Sequence, residues 1–198
     1  MTATNPIEFF ESQFQRQVQE QELALNPFEQ AALEHVSGAV LDLGCGLGNL
    51  ALALARRGSH VIAVDASPTA IEHINLVGKK ENLPIEAVQA DLEKFHISGD
   101  FDTVIAIGLL MFFSQERALE LLADIQAHVK PGGSAIITVL AEGTTFLGMF
   151  QPGHYYLFGL NELEERFAGW NILQTSHKSF PAPGETTKEF VTVIAQKI

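Results

Sequence analysis

Residues 40–48 read V-L-D-L-G-C-G-L-G, and this stretch organises the fold predicted for the rest of the chain. The apolar run at 39–43 predicts a β-strand, and the apolar run at 47–57 predicts a helix. Between them, glycine occupies alternate positions at Gly44, Gly46 and Gly48. Because glycine has no Cβ, it can adopt a positive φ and let a ligand approach the main chain. A strand, a glycine turn and a helix N-terminus in this order indicate a site for a nucleotide-like ligand.

Two carboxylates favour a ligand site at the glycine turn over a turn that only reverses the chain. Asp42 lies inside the first strand, and Asp65 ends the next apolar run, at 60–65. An acid about twenty residues beyond a glycine turn is placed to bind ribose hydroxyl groups. The glycine spacing is G-x-G-x-G, which differs from the G-x-G-x-x-G of dinucleotide sites.

The pattern D-x-G-x-G with a downstream aspartate resembles the class I S-adenosylmethionine-dependent methyltransferases, over about residues 28–198. The resemblance implies an α/β, Rossmann-like fold whose seven-stranded, mostly parallel sheet has the order 3-2-1-4-5-7-6, with the last strand antiparallel. Helices would cover both faces, and the ligand would lie where the strand order reverses, at the carboxyl ends of strands one and four. The implied cofactor is S-adenosyl-L-methionine.

The resemblance also implies roles for three carboxylates. Asp65 would accept hydrogen bonds from both ribose hydroxyls, and Asp42 would contact the amino group of the methionine part, directly or through water. Asp91 would accept from the adenine amino group, with the N–H of Leu92 reaching a ring nitrogen. Each carboxylate also has a purely structural interpretation, as the cap of a turn or of a helix.

The other expected cofactor contacts come from the main chain at the strand ends. Gly44 and Gly46 would follow the methionine part, and Ile107 would meet the cofactor at the end of strand four. Cys45 lies between two glycines and is expected to pack as a small buried residue and not to act as a nucleophile. The full set of expected cofactor-binding residues is Asp42, Gly44, Cys45, Gly46, Asp65, Ala66, Asp91, Leu92 and Ile107.

Hydrophobic periodicity and stop signals predict the remaining elements. Helices are expected at 6–25, 28–35, 68–78, 115–129 and 161–168, and strands at 85–89, 101–108, 134–140, 170–177 and 189–196. Gly78 is expected to stop its helix, and the turn K-P-G-G at 130–133 is expected to precede strand five. The last two strands must pair antiparallel through the turn-rich segment 179–187, because no helix separates them.

The first predicted helix carries apolar residues at Ile7, Phe10, Phe14 and Val18, a spacing that places them on one face. This helix lies outside the α/β alternation, so its apolar face must dock elsewhere. It is expected to act as a packing helix, as a lid over the ligand cleft, or as both. Arg16 in the same helix is a candidate contact for the carboxylate of the cofactor.

Residues 141–160 form a long segment rich in glycine and aromatic residues. Loops of this length are typically functional or disordered, and the aromatic residues argue against disorder. His154, Tyr155 and Tyr156 are the candidates here for catalysis or for lining the substrate pocket. A hydroxyl or amine acceptor would need such a general base, whereas a soft, already anionic nucleophile would not.

The end of strand four indicates which acceptors to expect. The sequence L-M-F-F at 110–113 replaces the D-P-P-Y or N-P-P-Y motif, which argues against amino groups of DNA bases and of protein glutamine. Together with P-G-G at 131–133 and Trp170, it resembles the tellurite-resistance branch of small-molecule methyltransferases. That branch implies a soft acceptor, such as a thiol or an oxyanion of selenium or tellurium.

Composition limits the partners and the location. The 198 residues predict a single domain, divided into a lid region at 1–27, a cofactor-binding core at 28–140 and a substrate-loop and hairpin region at 141–198. A net charge of −12 disfavours nucleic acid and anionic membranes as partners. No signal peptide, membrane span or metal-ligand spacing is predicted. We expect a cytoplasmic protein with a small-molecule substrate and no metal; the sequence does not indicate the oligomeric state.

Two other function classes stay open at this point. A nicotinamide-dependent oxidoreductase could use a similar sheet, but the glycine spacing, Asp42 and the absence of a Tyr-x-x-x-Lys pair argue against it. A non-catalytic sensor of S-adenosylmethionine would have the same cofactor site, and the sequence does not separate it from an enzyme.

Overall fold

The computed structural model describes residues 5–198, and its centre is a seven-stranded sheet in the order β3-β2-β1-β4-β5-β7-β6. Residues 1–4 lie outside the described residues; they include the start of the predicted lid region and of the segment in which no signal peptide is predicted. The strands are β1 (Val40–Leu43), β2 (Val61–Asp65), β3 (Ile85–Gln89), β4 (Phe101–Ile107), β5 (Val129–Leu140), β6 (Asn171–Ala182) and β7 (Thr186–Gln196). The predicted fold class and strand order are confirmed.

Helices lie before the sheet and between its strands. They are α1 (Pro6–Glu20), α2 (Pro27–Ala32), α3 (Asn49–Arg56), α4 (Pro68–Glu81), α5 (Gln115–His128) and α6 (Glu162–Glu165), with a 3₁₀ turn at Leu110–Phe112. None of the helices within residues 5–198 combines the length and apolar character that a bilayer crossing requires.

Strand β1 occupies the centre of the sheet, parallel to β2 on one side and to β4 on the other. All four of its residues are buried. Leu41 and Leu43 face the core that includes α5, whereas Val40 faces the core built with α3 and α4. This alternation places helices on both faces, and the point where the strand order reverses falls at the carboxyl ends of β1 and β4.

The predicted C-terminal ends of α1 and α4 are wrong. α1 ends at Glu20 and not at residue 25, because Gln21 adopts the left-handed conformation with φ of 56° and caps the helix. α4 continues through Gly78 to Glu81 and is capped by Asn82, with φ of 53°. Gly78 serves packing instead, since a Cβ there would lie 2.8 Å from Cγ2 of Ile85 on β3.

The C-terminal part departs further from prediction. β5 begins at Val129 and includes the predicted K-P-G-G turn, where its pairing with β4 shifts register. β6 and β7 form a long hairpin through 183–185, so the turn-rich segment predicted at 179–187 is mostly paired strand. Phe28, Phe180 and Phe190 pack on one another at this end. α2 and α6 are shorter than predicted, and the other elements agree with prediction to within two residues.

Candidate functional site

A cavity of about 920 Å³ opens at the carboxyl ends of the central strands, with α1 along one side. All nine residues predicted to bind the cofactor lie in its wall, as does His154: Asp42, Gly44, Cys45, Gly46, Asp65, Ala66, Asp91, Leu92, Ile107 and His154. Tyr155 and Tyr156 are not part of the wall. The topology therefore gathers residues from four separate predicted strand ends around one space.

The glycine turn presents its backbone to this cavity. The N–H of Gly44 donates to the Val64 carbonyl at 2.8 Å, which ties the end of β1 to β2. Gly46 has φ of 52°, and its N–H donates to Oδ2 of Asp65 at 2.8 Å. A Cβ at position 46 would lie 3.1 Å from Cζ of Phe14, so only glycine lets α1 approach the turn this closely.

Asp65 is held at the end of β2 with 9% of its surface exposed. Besides Gly46, it accepts the N–H of Ser67 on Oδ1 at 2.9 Å. Burial raises the pKa of this carboxyl, whereas the hydrogen bonds from Ser67, Gly46 and Ala66 act in the opposite direction. Because each carboxylate oxygen has two lone pairs, both oxygens keep capacity to accept another donor from a ligand.

Asp42 is more deeply buried, with 4% exposure. Burial raises its pKa well above the ordinary value, and the nearby carboxylates of Glu29 and Asp65 raise it further. Glu29 lies in the first turn of α2, where it and Asn26 form a capping box, and it also lines the cavity. The end of the cavity around Asp42 is therefore built to receive positive charge.

Asp91 caps a turn, which is the structural role that the sequence also left open for it. It is exposed, its Oδ1 accepts the N–H of Glu93 at 3.1 Å, and Lys94 lies 3.4 Å from its Oδ2. Asp91 nevertheless borders the cavity beside the buried Leu92. Capping the turn and facing a ligand are thus compatible at this position.

Helix α1 covers one side of the cavity, and we call it the lid helix. Phe10 meets Phe112 edge to face with ring centroids 5.2 Å apart. Glu11 accepts hydrogen bonds from Oγ of Ser67, at 2.5 Å, and from the Thr69 hydroxyl. Burial raises the pKa of Glu11, but hydrogen bonds from Ser67, Thr69 and Gln15 outweigh it and leave the pKa below its ordinary value.

The three predicted catalytic candidates separate in the structure. His154 borders the cavity, with Nε2 3.6 Å from Oε2 of Glu93. Tyr155 stacks on Phe150 at 4.7 Å between ring centroids. Tyr156 donates its hydroxyl to Oε2 of Glu162 at 2.6 Å, and burial, followed by Glu162, raises its pKa. Aromatic stacking and Glu162 engage the two tyrosines outside this wall, and the expectation that they line the substrate pocket stays a prediction.

Arg16 also lies outside the cavity wall. Its side chain is mostly exposed and lies 3.7 Å from the carboxylate of Glu20. Sequence reasoning missed four charged residues of the wall, Glu22, Glu29, Glu93 and Lys188. It also missed Glu11, which attaches the lid helix to Ser67 and Thr69. The Asn26–Glu29 spacing does predict a capping box, but nothing local to the sequence indicates that Glu29 reaches the cavity.

Comparisons with known proteins place this site in a family context. Residues 40–133 match the family model described as "Methyltransferase domain". Over 163 residues the chain is 34% identical to hemagglutinin 1 of Eikenella corrodens, covering 79% of this chain and 54% of that protein. Over 164 residues it is 30% identical to the probable S-adenosyl-L-methionine-dependent methyltransferase TehB of Haemophilus influenzae (strain 10810), covering 80% and 57%.

The fold agrees with these sequence matches. The crystal structure of TehB from Haemophilus influenzae superimposes with a TM-score of 0.76 and 25% identity, over 88% of this chain and 63% of that one. The chain thus spans little more than half the length of these two curated relatives.

Proposed function

We propose that the chain is a class I S-adenosylmethionine-dependent methyltransferase of the TehB-like, tellurite-resistance-type branch, and that it methylates a small-molecule acceptor. The observation that carries the proposal is one cavity of about 920 Å³ that combines all nine expected cofactor residues with an aromatic region beside the lid helix. Its size is near the upper end of small-molecule sites, which leaves room for a cofactor and an acceptor together.

The residues present fit S-adenosylmethionine. The cofactor carries a sulfonium and an ammonium cation, and six carboxylates line the cavity: Glu22, Glu29, Asp42, Asp65, Asp91 and Glu93. Gly44 and Gly46, both at positive φ, present backbone without a Cβ where the methionine part would run. NAD, with its anionic pyrophosphate, suits neither this charge nor this glycine spacing.

Within the proposal, each residue keeps the role expected of it. Asp65 binds the ribose hydroxyls, Asp42 together with Glu29 binds the ammonium group, and Asp91 with Leu92 binds the adenine edge. The main chain at Gly44, Cys45, Gly46, Ala66 and Ile107 lines the path between these groups. Cys45 contributes no nucleophile, since burial, followed by Asp42 and Asp65, raises the pKa of its thiol well above the ordinary value.

When bound, S-adenosylmethionine supplies an electrophilic methyl group on its sulfonium. The chain's own contribution is to align an acceptor with that group and to exclude water. The lid helix serves the second task through Phe10 and Phe14, which cover the 3₁₀ turn and the glycine turn. For a hydroxyl or amine acceptor, His154 is the group in the wall that can take the proton. A soft anionic acceptor needs no such step.

We also propose that the acceptor is a soft nucleophile, either a thiol or an oxyanion of selenium or tellurium. The proposal also includes a cytoplasmic location and the absence of nucleic-acid partners. The net charge of −12 supports the absence of nucleic-acid partners. Tyr155 and Tyr156 have no direct role in this account.

Two measurements test the proposal in sequence. Calorimetry is expected to detect binding of S-adenosylhomocysteine and none of NAD; tight NAD binding with no response to S-adenosylhomocysteine would remove the proposal. Mass spectrometry of a panel of thiols, selenite and tellurite is then expected to find methylated products. Cofactor binding without any product across a broad panel would favour the sensor interpretation.

A further inference from the structure

We propose that the acceptor is an amphipathic anion, with a ring-sized apolar body held by the aromatic wall of the cavity and an anionic group paired with Lys188. This inference rests on the proposed methyltransferase function and narrows its acceptor, from a thiol or an oxyanion of selenium or tellurium, to an anion with an apolar body. A bare oxyanion is the alternative from which it must be distinguished, because the two differ in how much apolar surface they can bury.

Charge distribution in the cavity wall is the first observation. Among the described residues that line it, Lys188 is the single lysine or arginine, against six carboxylates. Asp42, Asp65 and Asp91 lie at or just beyond the ends of β1, β2 and β3, the strand ends assigned to the cationic cofactor. Lys188 belongs to β7, which pairs with β5 and β6 at the other end of the sheet. One cavity therefore has a largely acidic wall and a separate cationic position.

Lys188 lacks an ionic partner. Within residues 5–198, none of the ion pairs involves it, whereas lysines 94 and 130 each lie within 3.4 Å of an aspartate. Its Nζ instead lies 4.7 Å from the ring centroid of Phe146. Burial lowers the pKa of Lys188, so the protein stabilises this cation less well than water does. A ligand anion would supply the missing partner.

The position of Lys188 is fixed by backbone hydrogen bonds. The N–H of Phe146 donates to the Thr187 carbonyl at 3.1 Å, and the N–H of Thr187 donates to Oγ1 of Thr145 at 2.8 Å. These bonds tie the 141–160 loop to β7 and keep the ring of Phe146 beside the ammonium group. The backbone that carries Lys188 and Phe146 is thus preorganised before a ligand binds.

The surroundings of Lys188 define the rest of the ligand. The cavity wall here is aromatic and sulfur-containing and comes from the lid helix, the 3₁₀ turn, the loop and β7: Phe9, Phe10, Phe112, Phe146, Met149 and Phe190. A small oxyanion offers these side chains no apolar surface, so filling this wall requires an apolar body. A ring that carries a carboxylate satisfies the wall and Lys188 at once.

Binding of a matched pair of unreactive probes tests the inference. 2-Naphthoate and 2-naphthamide have nearly the same shape and differ in charge. By calorimetry with the S-adenosylhomocysteine complex, naphthoate is expected to bind about tenfold more tightly than naphthamide, the effect of one partly exposed charged pair. Lys188→Met is expected to remove the difference by weakening naphthoate alone, and Lys188→Arg to keep it. Selenite is expected to bind more weakly than naphthoate.

A matched control is Lys178→Met. Lys178 lies on the neighbouring strand β6, with Nζ 5.9 Å from the ring centroid of Phe28, and is not part of the cavity wall. This variant is expected to retain the tenfold preference. Equal affinity for the two probes, no binding of either, tighter binding of selenite, or an unchanged preference in Lys188→Met would each overturn the inference. Loss of S-adenosylhomocysteine binding would count against the proposed function alone, because the probes can also be titrated without it.

Discussion

The two ends of the cavity differ in whether backbone or side chains form the wall. At the end formed by β1 and β2, the wall is largely backbone, with Gly44 and Gly46 exposed and Asp65 held by main-chain N–H groups. At the other end, the wall consists of side chains such as Phe146 and Lys188, brought together from the loop and β7. A backbone wall is positioned by the buried strands beneath it, whereas a side-chain wall can change without disturbing the sheet.

This contrast assigns the two ends different tasks. A ligand held by backbone and by strand-end carboxylates can be the same in many relatives of one fold. An acceptor held by aromatic and charged side chains can differ from one relative to the next. Substitutions at the first end should therefore affect folding and cofactor affinity, and substitutions at the second should affect lid closure and acceptor choice.

The largest effect is expected from Gly48→Ala, which tests the backbone end directly. Gly48 caps α3 with φ of 70°, and a Cβ there would lie 2.5 Å from Cγ1 of Ile74 in α4. Left-handed strain and overpacking together should lower the free energy of unfolding by about 3 kcal/mol, as measured by urea denaturation.

Gly58→Ala is the matched control for that measurement. Gly58 also has a positive φ, 93°, but a Cβ there would meet nothing within 4 Å. It should lose only the conformational part, about 1 kcal/mol. Equal losses for the two variants would show that the contact with Ile74 contributes nothing.

The next effect concerns cofactor affinity at Asp65. Asp65→Ala is expected to weaken binding of S-adenosylhomocysteine by about 2–3 kcal/mol, or 30–150-fold in calorimetry, since two hydrogen bonds to a charged acceptor are lost. Asp65→Asn should be milder because it keeps one acceptor oxygen. A folded Asp65→Ala protein that binds within threefold of wild type would falsify the ribose assignment.

The structure changes one part of that expectation. Asp65 also holds the N–H groups of Gly46 and Ser67, so its removal should destabilise the glycine turn itself by about 1 kcal/mol. Sequence placed Asp65 at a strand end beside the ligand, but it did not reveal these two backbone partners. Circular dichroism with urea denaturation separates the two losses.

Sequence reasoning succeeded where local pattern determines structure. The apolar runs at β1, β2 and β4, the glycine spacing and the strand-end acids all lie within short stretches, and parallel strands bring their carboxyl ends together by topology. Nine expected cofactor residues therefore met in one cavity. Ser67 and Ser114, each directly before a helix, cap α4 and α5, which is also a local pattern.

The failures occurred where distant segments decide the structure. The Tyr156 hydroxyl is hydrogen-bonded to Glu162 and Gln115, and Tyr156 is not part of the cavity wall. No local pattern predicts that pairing. Turn-type residues at 179–187 form strand because β7 supplies cross-strand partners and Phe28 packs on this end of the hairpin. Lys188 has no distinguishing context in the sequence, since its significance lies in the cavity wall around it.

A smaller effect is expected from the protonation of Asp42. Because its pKa is raised, Asp42 in the free protein still binds a proton at pH values above 3.8, the ordinary pKa of an aspartate. A bound ammonium group instead favours the carboxylate. Affinity for S-adenosylhomocysteine should therefore rise with pH above 3.8, by at most about tenfold per unit, until Asp42 is ionised in the free protein. Calorimetry in buffers of different ionisation enthalpy should detect proton release on binding.

Asp42→Asn tests the source of that proton. The variant should bind about tenfold more weakly at neutral pH and should lose most of the pH dependence. Glu29 and Asp65 are the other carboxyls with a raised pKa at this end, owing to burial, and account for any remainder. Asp91→Asn is the control and should keep the pH profile of the wild type. Proton release of undiminished size in Asp42→Asn would contradict the assignment.

The smallest effect is expected at the lid helix, where Glu11 is the polar attachment to α4. Glu11→Ala removes the acceptor for the hydroxyls of Ser67 and Thr69. Because the contact is partly exposed to solvent, its loss should cost about 0.5–1 kcal/mol of lid docking. Amide hydrogen exchange across residues 9–20 should then quicken by about two- to fivefold, and bound S-adenosylhomocysteine should slow it in the wild type.

The same attachment should weaken in acid. The pKa of Glu11 lies below its ordinary value of 4.5, so its contribution is fully present above pH 4.5 and is lost as the pH falls through the lowered pKa. Glu20→Ala is the control, since the ion pair that Glu20 makes within residues 5–198 is with the exposed Arg16, at 3.7 Å, on the same helix. If Glu11→Ala and Glu20→Ala leave exchange equally unchanged, the aromatic contacts of Phe10 and Phe14 alone hold the lid. The polar attachment would then have no role in holding the lid helix over the cavity.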